Sequence, residues 1–190
     1  MGPEDRIRDL AARGDLHQAA TEAIRWLGPE VLGYLTAMVK SEADAAEVFS
    51  QFAEDLWRGI PGFRWESSLR TWAYRLAYHA AARFARDPYR QRGRRFETTM
   101  ASRIADDVRR TSVLRQDLRE KQLAELRAGL DLDERTLLVL RLDRRLSWRE
   151  VAEVLAGQGE AEVDEATLRK RFERIRDKLE KKARQAGLLE

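Results

Sequence analysis

Residues 131–184 read DLDERTLLVLRLDRRLSWREVAEVLAGQGEAEVDEATLRKRFERIRDKLEKKAR and predict three helices. Two pairs have the spacing of an N-cap and its reciprocal partner ahead of an apolar run: Asp131 with Glu134, and Ser147 with Glu150. Asp164 can cap a third helix whose apolar residues step by four, three and four: Leu168, Phe172, Ile175 and Leu179. A capped helix, a turn and a longer arginine-rich helix are the order typical of a helix-turn-helix.

The third of these helices carries cations away from its apolar stripe, namely Arg169, Lys170, Arg171, Arg174 and Lys178. If the stripe faces the other two helices, these cations project outward and can meet phosphates and guanine edges in a major groove. The alternative is a solvated face, because Glu173, Asp177 and Glu180 can pair with cations three or four residues away. The concentration of cations near the start of the helix favours DNA contact.

The composition of the 190 residues is that of a helical, soluble chain, with 43% hydrophobic and 36% charged residues and a net charge of +3. The chain has no cysteine, which excludes disulfides, thiol catalysis and cysteine-based zinc sites. No apolar run approaches the roughly 18 residues that a membrane span needs, and the N-terminus has no apolar signal core. We therefore expect a cytoplasmic protein without a membrane partner.

The N-terminal half predicts several amphipathic helices. Residues 4–13 and 15–27 form the first two, and Gly28-Pro29 separates them from a third over 30–40. Residues 41–58 form a fourth, with one apolar stripe and an opposite face that holds Glu47, Ser50 and Glu54. This opposite face is expected to be exposed.

A short aromatic and basic window follows. Phe63 to Glu66 are predicted to form a loop, and Ser67 or Ser68 to cap the next helix. Aromatic side chains beside Arg64 suit unstacked bases, although aromatics also fill small helical cores, and the residues alone leave both possibilities open. One flank of the helix is basic and carries Arg75, His79, Arg83 and Arg86.

The remaining stretches set the domain boundaries. Residues 88–112 are rich in arginine and are predicted to be a flexible linker between a domain over 1–87 and a domain over 113–190, which begins with a helix to about Gly129. Within the linker, the sequence allows a short helix around Ser102 to Val108. No glycine-rich phosphate loop, metal-ligand spacing or catalytic constellation is present. The sequence therefore predicts two small all-α domains, no cofactor, no small-molecule substrate and no enzymatic activity.

Two motif blocks resemble a known family, the bacterial extracytoplasmic-function sigma factors, which are group four of the sigma-70 family of RNA polymerase subunits. FRWESSLRTWAYRLAYHAAARFAR, with its specific F-R-x-E-S-S-L-R-T-W core, resembles the sigma-two domain. LDERTLLVLRLDRRLSWREVAEVLA followed by ATLRKRFERIRDKL resembles the sigma-four domain. The order of the blocks and the linker between them agree with that family.

The resemblance implies core RNA polymerase and promoter DNA as partners. The sigma-two domain would melt and hold the downstream promoter element through Phe63, Arg64, Trp65, Glu66, Ser67, Arg75, His79, Arg83 and Arg86. The sigma-four helix would read the upstream element through Thr167, Arg169, Lys170, Arg171 and Arg174. The polymerase-docking helix would present Asp44, Glu47, Gln51, Glu54 and Asp55.

The docking helix departs from the family pattern, because Ala46 and Gln51 stand where the family carries acids. A phosphate on Ser50 would add close to two negative charges to the same face. We therefore hypothesise that a Ser/Thr kinase acts on Ser50 to restore docking, against the alternative of an ordinary exposed serine. An anti-sigma factor is the other form of control that the resemblance leaves open.

A second departure lies in the helix-turn-helix, where residues 157–163 lengthen the turn between its helices. The functions that compete with a sigma factor are a stand-alone helix-turn-helix transcriptional regulator and a helical interaction protein that does not bind DNA. The FRWESSLRTW block favours the sigma factor, because a repressor has no use for a strand-opening loop.

Overall fold

Helices make up the regular secondary structure, which confirms the all-α class. The structure is a computed structural model that describes residues 2–39, 41–86, 99–112, 129–156 and 163–185. No strand occurs within these ranges. The chain divides into two units, Met1–Leu114 and Arg115–Glu190, and each buries its own set of apolar side chains.

The first unit begins with a helical hairpin formed by α1 (Pro3–Ala12) and α2 (Leu16–Met38). The chain reverses at Gly14, whose φ of 84° lies in the left-handed region that glycine adopts without steric cost. The amide of Asp15 then donates to the carbonyl of Leu10 at 3.0 Å, which satisfies one carbonyl at the end of α1. Ile7 is fully buried and fixes α1 to the rest of the unit.

The α2 helix continues through Gly28 and Pro29, so the prediction of separate helices over 15–27 and 30–40 is wrong. Proline lacks an amide hydrogen, so α2 forgoes one backbone hydrogen bond at this point. Burial of apolar side chains on both sides of Pro29 offsets that loss, as at Ile24, Leu27, Val31, Tyr34 and Leu35. The helix therefore persists because tertiary packing outweighs a local preference.

The α3 helix spans Glu42–Gly59 and agrees with the predicted helix over 41–58. Its N-cap is Ser41, whose hydroxyl oxygen accepts a hydrogen bond from the Asp44 amide at 3.1 Å. A short 3₁₀ turn over Ile60–Gly62 ends it, and α4 (Leu69–Arg86) follows. Between α2, α3 and α4 lies the aromatic part of the core, formed by Tyr34, Phe49, Phe52 and Tyr74.

The α5 helix spans Met100–Ser112 and packs against both α2 and α3. Its buried side chains have the helical spacing of three, one and three: Ala101, Ile104, Ala105 and Val108. The structure thus differs from the predicted flexible linker over 88–112 and agrees with the short helix allowed around 102–108, which it extends at both ends. A narrow stripe of apolar residues is enough to pack one face of this arginine-rich segment against α2 and α3. Residues 88–98 of that predicted linker lie outside the described residues.

The second unit contains α6 (Leu132–Leu138), a wide helical turn over Val139–Asp143, α7 (Trp148–Leu155) and α8 (Glu165–Gln185). All three predicted N-caps are confirmed. The hydroxyl or carboxylate oxygens of Asp131, Ser147 and Asp164 accept from the amides three residues later, at 2.7, 3.2 and 3.2 Å. The predicted helix over 113–129 and the lengthened turn fall almost entirely outside the described residues.

Candidate nucleic-acid interface

Residues 63–68 form the loop between the 3₁₀ turn and α4, which we call the 63–68 loop. Phe63 lies between two tryptophans, with ring centroids 4.5 Å from Trp72 in a stacked arrangement and 4.8 Å from Trp65. All three side chains are half-buried. The cluster therefore packs against itself and still leaves part of its aromatic surface open, which is what stacking of an unpaired base requires.

Trp65 adopts a left-handed backbone conformation, with φ at 60°. For a bulky residue other than glycine this conformation is uncommon and costs about 1–3 kcal/mol, so surrounding contacts must hold it. The guanidinium of Arg8 lies over the Trp65 ring at 5.6 Å, and it belongs to α1 rather than to the loop. A cation–π contact from α1, which is distant in sequence, is thus one of the contacts made by the strained Trp65.

The polar residues of the 63–68 loop remain accessible. The side chains of Arg64 and Glu66 are 82% and 78% exposed, and their charged atoms lie 4.0 Å apart. A pair so exposed contributes little to stability, so both groups can exchange partners at low cost. Ser67 donates weakly to the Ser68 carbonyl at 3.4 Å, whereas the Ser68 hydroxyl oxygen accepts from the Thr71 amide at 3.0 Å. Ser68 is therefore the cap of the two predicted candidates.

The predicted basic flank of α4 is partly accessible. Arg83 and Arg86 are exposed, while Arg75 and His79 are half-buried. Arg83 forms an ion pair with Asp55 of α3, so the structure joins a predicted DNA contact to a predicted polymerase contact. The two predicted surfaces are therefore neighbours in this unit.

The predicted docking face on α3 is less exposed than its sequence pattern indicates. Glu54 is only 8% exposed, and its carboxylate accepts a hydrogen bond from Thr99, next to the start of α5, and pairs with Arg58 at 3.2 Å. Asp44, Glu47, Gln51 and Asp55 are half-buried, and the Gln51 amide donates to Asp55 at 2.8 Å. Packing of α5 on α3 covers part of the face that the sequence pattern predicts to be exposed.

Ser50 is also buried, at 8% exposure, and its hydroxyl donates to the Ala46 carbonyl at 3.0 Å. The prediction that Ser50 lies on an exposed face is therefore wrong. A kinase needs an accessible hydroxyl, so modification of Ser50 requires this part of α3 to rearrange first. Phosphorylation of Ser50 itself stays a prediction.

In the second unit the predicted contact residues on α8 are exposed. Thr167, Arg169, Lys170, Arg171 and Arg174 all face solvent, opposite the buried Leu168 and Ile175. Lys178 pairs with Glu134 at 2.9 Å and thereby ties α8 to α6. The pattern of one apolar stripe and one cationic face is confirmed as geometry, and its use in DNA binding stays a prediction.

Trp148 connects α7 to the cationic face of α8. The guanidinium of Arg141 lies 4.4 Å from its ring centroid on one side and that of Arg169 lies at 5.8 Å. Phe172 meets the same ring edge-on at 5.6 Å. Trp148 therefore holds the predicted DNA contact Arg169 through a cation–π interaction, in addition to the 3.1 Å ion pair of Arg169 with Glu165.

Sequence reasoning missed three contributions: the contacts of Glu4 and Arg8 on α1, the full length and packing of α5, and the role of Trp148. The spacing of Glu4 and Arg8 places them on one face of α1, but nothing in the sequence links that face to a loop about sixty residues later. The 3.6-residue period of α5 is the one signal that could have revealed it. Nothing in the sequence around Trp148 distinguishes a tryptophan that fills the core from one that makes cation–π contacts with arginines.

Two properties of the described residues bear on other functions. Across the described ranges, no group of three or more histidine and acidic side chains is arranged to hold a metal ion. The described helices also include none that is both long and apolar enough to cross a membrane.

Comparison with known protein families matches the family Sigma-70 region 2 to residues 23–95. This range starts within α2 and includes α3, the 63–68 loop and α4, whereas α1, α5 and the second unit lie outside it. A search of curated proteins finds no match. The chain therefore contains a sigma-70 region 2 domain. This domain supports a role in RNA polymerase binding and promoter recognition.

Proposed function

We propose that the chain is a sigma factor that directs RNA polymerase to promoters, opens the strands and supports transcription initiation. The observation that carries the proposal is the coincidence of the region 2 match with the half-exposed aromatic cluster of the 63–68 loop. We further assign the chain to the extracytoplasmic-function group, because a second helical unit with a cationic helix follows the region 2 domain.

In the proposed mechanism the 63–68 loop captures one base that leaves the duplex. Phe63 and Trp65 offer aromatic surface to that base, and Arg64, which is exposed, contacts the adjoining phosphate. Arg83 and Arg86 on α4 bind the backbone beyond it. Stacking and phosphate contacts together compensate the few kcal/mol that unstacking of a base costs.

The docking role is assigned to the acidic side of α3. Asp44, Glu47, Gln51 and Asp55 keep partial exposure, and Glu54 becomes available if Thr99 and the start of α5 move away from it. Core RNA polymerase would therefore compete with α5 for Glu54. Promoter specificity belongs to this chain in the proposal, and RNA synthesis belongs to the polymerase.

The upstream element is assigned to α8. The four cations assigned to this role lie within the first half of the helix, where a recognition helix contacts base edges: Arg169, Lys170, Arg171 and Arg174. Trp148 and Glu165 hold Arg169 from two sides, which limits the conformations that its guanidinium can adopt. The unit thus presents Arg169, held by two contacts, next to other exposed cations on the same helix.

The test is run-off transcription with purified core RNA polymerase on a library of promoter fragments. We expect discrete transcripts only when the chain and the polymerase are both present, and permanganate-reactive thymines near each start site. The polymerase alone and the chain alone serve as controls. A chain that binds no polymerase and yields no transcript from any fragment would refute the proposal.

The assignment of α8 has its own test within the same assay. Arg171→Ala removes an exposed cation and is expected to lower discrimination among upstream sequences by about tenfold, equivalent to one good base contact. Lys181→Ala removes a cation from the exposed far half of the same helix and should change discrimination little. Equal effects of the two variants would indicate a non-specific cationic face.

The alternative function is a stand-alone helix-turn-helix regulator. It is favoured only by the second unit, whose capped helices and cationic α8 could bind duplex DNA without assistance. Tight, sequence-specific binding to duplex DNA without polymerase, together with absence of transcripts, would support it.

A further inference from the structure

The α1 helix makes a direct hydrogen bond to the start of α4. One carboxylate oxygen of Glu4 accepts from the amide of Leu69 at 2.8 Å, across 65 positions of the chain. Leu69 is the first residue of α4 and is fully buried. Its amide belongs to the first turn, where a helix has no internal acceptor, so Glu4 supplies an acceptor from another helix.

This contact adds to the capping of α4 by Ser68. The Ser68 hydroxyl accepts from the Thr71 amide at 3.0 Å, and Glu4 accepts from the Leu69 amide. A carboxylate at a helix N-terminus also interacts favourably with the helix dipole. Because Leu69 directly follows the 63–68 loop, Glu4 fixes the point at which that loop ends.

The same helix contacts the middle of the loop. Arg8 lies one turn after Glu4 on α1, and its guanidinium covers the Trp65 ring at 5.6 Å. Trp65 is the residue held at a φ of 60°. Two residues on one face of α1 therefore act on the 63–68 loop at its strained centre and at its end.

The α1 helix is itself firmly placed. Ile7, which lies between the two contact residues, is 1% exposed, and Arg6 pairs with Glu22 of α2 at 2.8 Å. The Sigma-70 region 2 match begins at residue 23, so α1 with Glu4 and Arg8 lies outside the matched range, whereas the residues that it contacts, Trp65 and Leu69, lie inside it. The support for the loop thus comes from a part of the chain that the family match does not cover.

We propose that α1 is a brace that sets the geometry of the 63–68 loop for capture of an unstacked base, with Glu4 and Arg8 as its positioning residues. This inference rests on the proposed function of the loop. Arg8 keeps Trp65 in the orientation that leaves an aromatic surface open, and Glu4 keeps α4 starting at Leu69. Neither residue belongs to the predicted polymerase-docking residues, which lie on α3.

The experiment uses the full chain with core RNA polymerase on two versions of one promoter found in the library: a fully paired duplex, and the same duplex with a pre-opened bubble. The variants are Glu4→Ala, Glu4→Gln, Arg8→Ala and Arg8→Lys. Arg6→Ala is the matched control, because it removes an ion pair of α1 that does not reach the loop. Polymerase affinity and permanganate reactivity of thymines are measured for each.

We expect Glu4→Ala to lower strand opening on the paired duplex by about tenfold, the effect of leaving one buried donor without its acceptor. Activity on the pre-opened template and affinity for polymerase should stay close to those of the original chain. Glu4→Gln retains a carbonyl oxygen that can accept from the Leu69 amide and should recover most of the opening. Arg8→Ala should reduce opening, Arg8→Lys less so, and Arg6→Ala should not.

The inference is overturned if Glu4→Ala and Arg8→Ala open the paired duplex as well as Arg6→Ala does. It is equally overturned if they lose activity on both templates and polymerase affinity in the same proportion, since that pattern indicates loss of fold. Because the Arg8 side chain is exposed, Arg8→Ala remains informative even where Glu4→Ala unfolds. Failure of the proposed function would differ, since the unmodified chain would then open no promoter.

Discussion

At the scale of single residues, the absence of a side chain at Gly59 leaves the space that the Trp72 ring of the aromatic cluster occupies. A Cβ at this position would lie 2.9 Å from Cζ2 of Trp72, the ring on which Phe63 stacks at 4.5 Å. No real Cβ contact is so short, so alanine at position 59 must displace the tryptophan. The glycine is therefore a steric requirement of the cluster and not only the end of α3.

We predict that Gly59→Ala is about 1 kcal/mol less stable than Gly62→Ala, because it overfills the space beside Trp72. Gly62 is the matched control, since a Cβ there meets nothing within 4 Å. Urea unfolding measures the stability, and near-ultraviolet circular dichroism reports the Phe63–Trp72 stack. Two variants with the same stability and the same spectrum would contradict this account.

Ser50 is the second residue whose burial determines the effect of a substitution on stability. We predict that Ser50→Glu destabilises the chain by about 2–3 kcal/mol, because a carboxylate cannot be buried there without a partner. Ala46→Glu adds the same charge to the same helix at a half-buried position and should cost less. Thermal unfolding of both variants checks this, and a fully stable Ser50→Glu would revive the exposed-serine interpretation.

At the scale of elements, the packing of α5 on α2 and α3 depends on one close approach. A Cβ on Gly28 would lie 3.0 Å from Cγ1 of Val108 and 3.2 Å from Cζ of Phe49. Alanine usually stabilises a helix interior relative to glycine by about 0.5–1 kcal/mol, so a loss here would identify the contact. The glycine that looks like a helix breaker in the sequence serves as a contact point between three helices.

We therefore predict that Gly28→Ala costs about 1–3 kcal/mol, the usual effect of overfilling a core. Val108→Ala alone should cost about 1–2 kcal/mol through lost burial. The double variant should be more stable than the sum of the two costs implies, by at least about 0.5 kcal/mol, because the smaller residue makes room for the new methyl group. Simple additivity in chemical denaturation would show that Gly28 and Val108 do not interact.

At the scale of the whole molecule, charge is arranged locally rather than in bulk. The net charge is only +3, and several cations on the described surface are paired with an acid, as Arg83 is with Asp55 and Arg169 with Glu165. A chain of this kind attracts DNA weakly by its overall field. In the proposed function, its affinity comes from defined cationic faces that core RNA polymerase brings to the promoter.

We accordingly predict that the chain alone binds duplex DNA no more tightly than a non-specific protein, with a Kd of about 10⁻⁴–10⁻⁶ M at physiological salt and a steep salt dependence. Addition of core polymerase should produce salt-resistant complexes on promoter fragments only. Fluorescence anisotropy over a salt series measures both. Nanomolar, salt-insensitive binding by the chain alone would favour the stand-alone regulator.

The sequence by itself determined the helices that carry strong local signals. The capping pairs at Asp131 and Ser147, the cap at Asp164 and the apolar stripe of α8 are short-range patterns, and all of them appear in the structure as predicted. The all-α class follows from the same local signals. Local hydrogen bonds and a 3.6-residue period act within a few residues, so they can be read without knowledge of the fold.

Only the tertiary structure decided which surfaces are free. Packing of apolar side chains keeps α2 helical through Pro29 and holds α5 on α3, beside Glu54. In the same fold Ser50 is buried, and Glu4 and Arg8 contact Leu69 and Trp65. Each of these depends on contacts between residues far apart in the chain. The free energy of such contacts depends on how much surface the two residues bury together and on the distance between them in the folded chain. The pattern of residues along the sequence contains neither quantity.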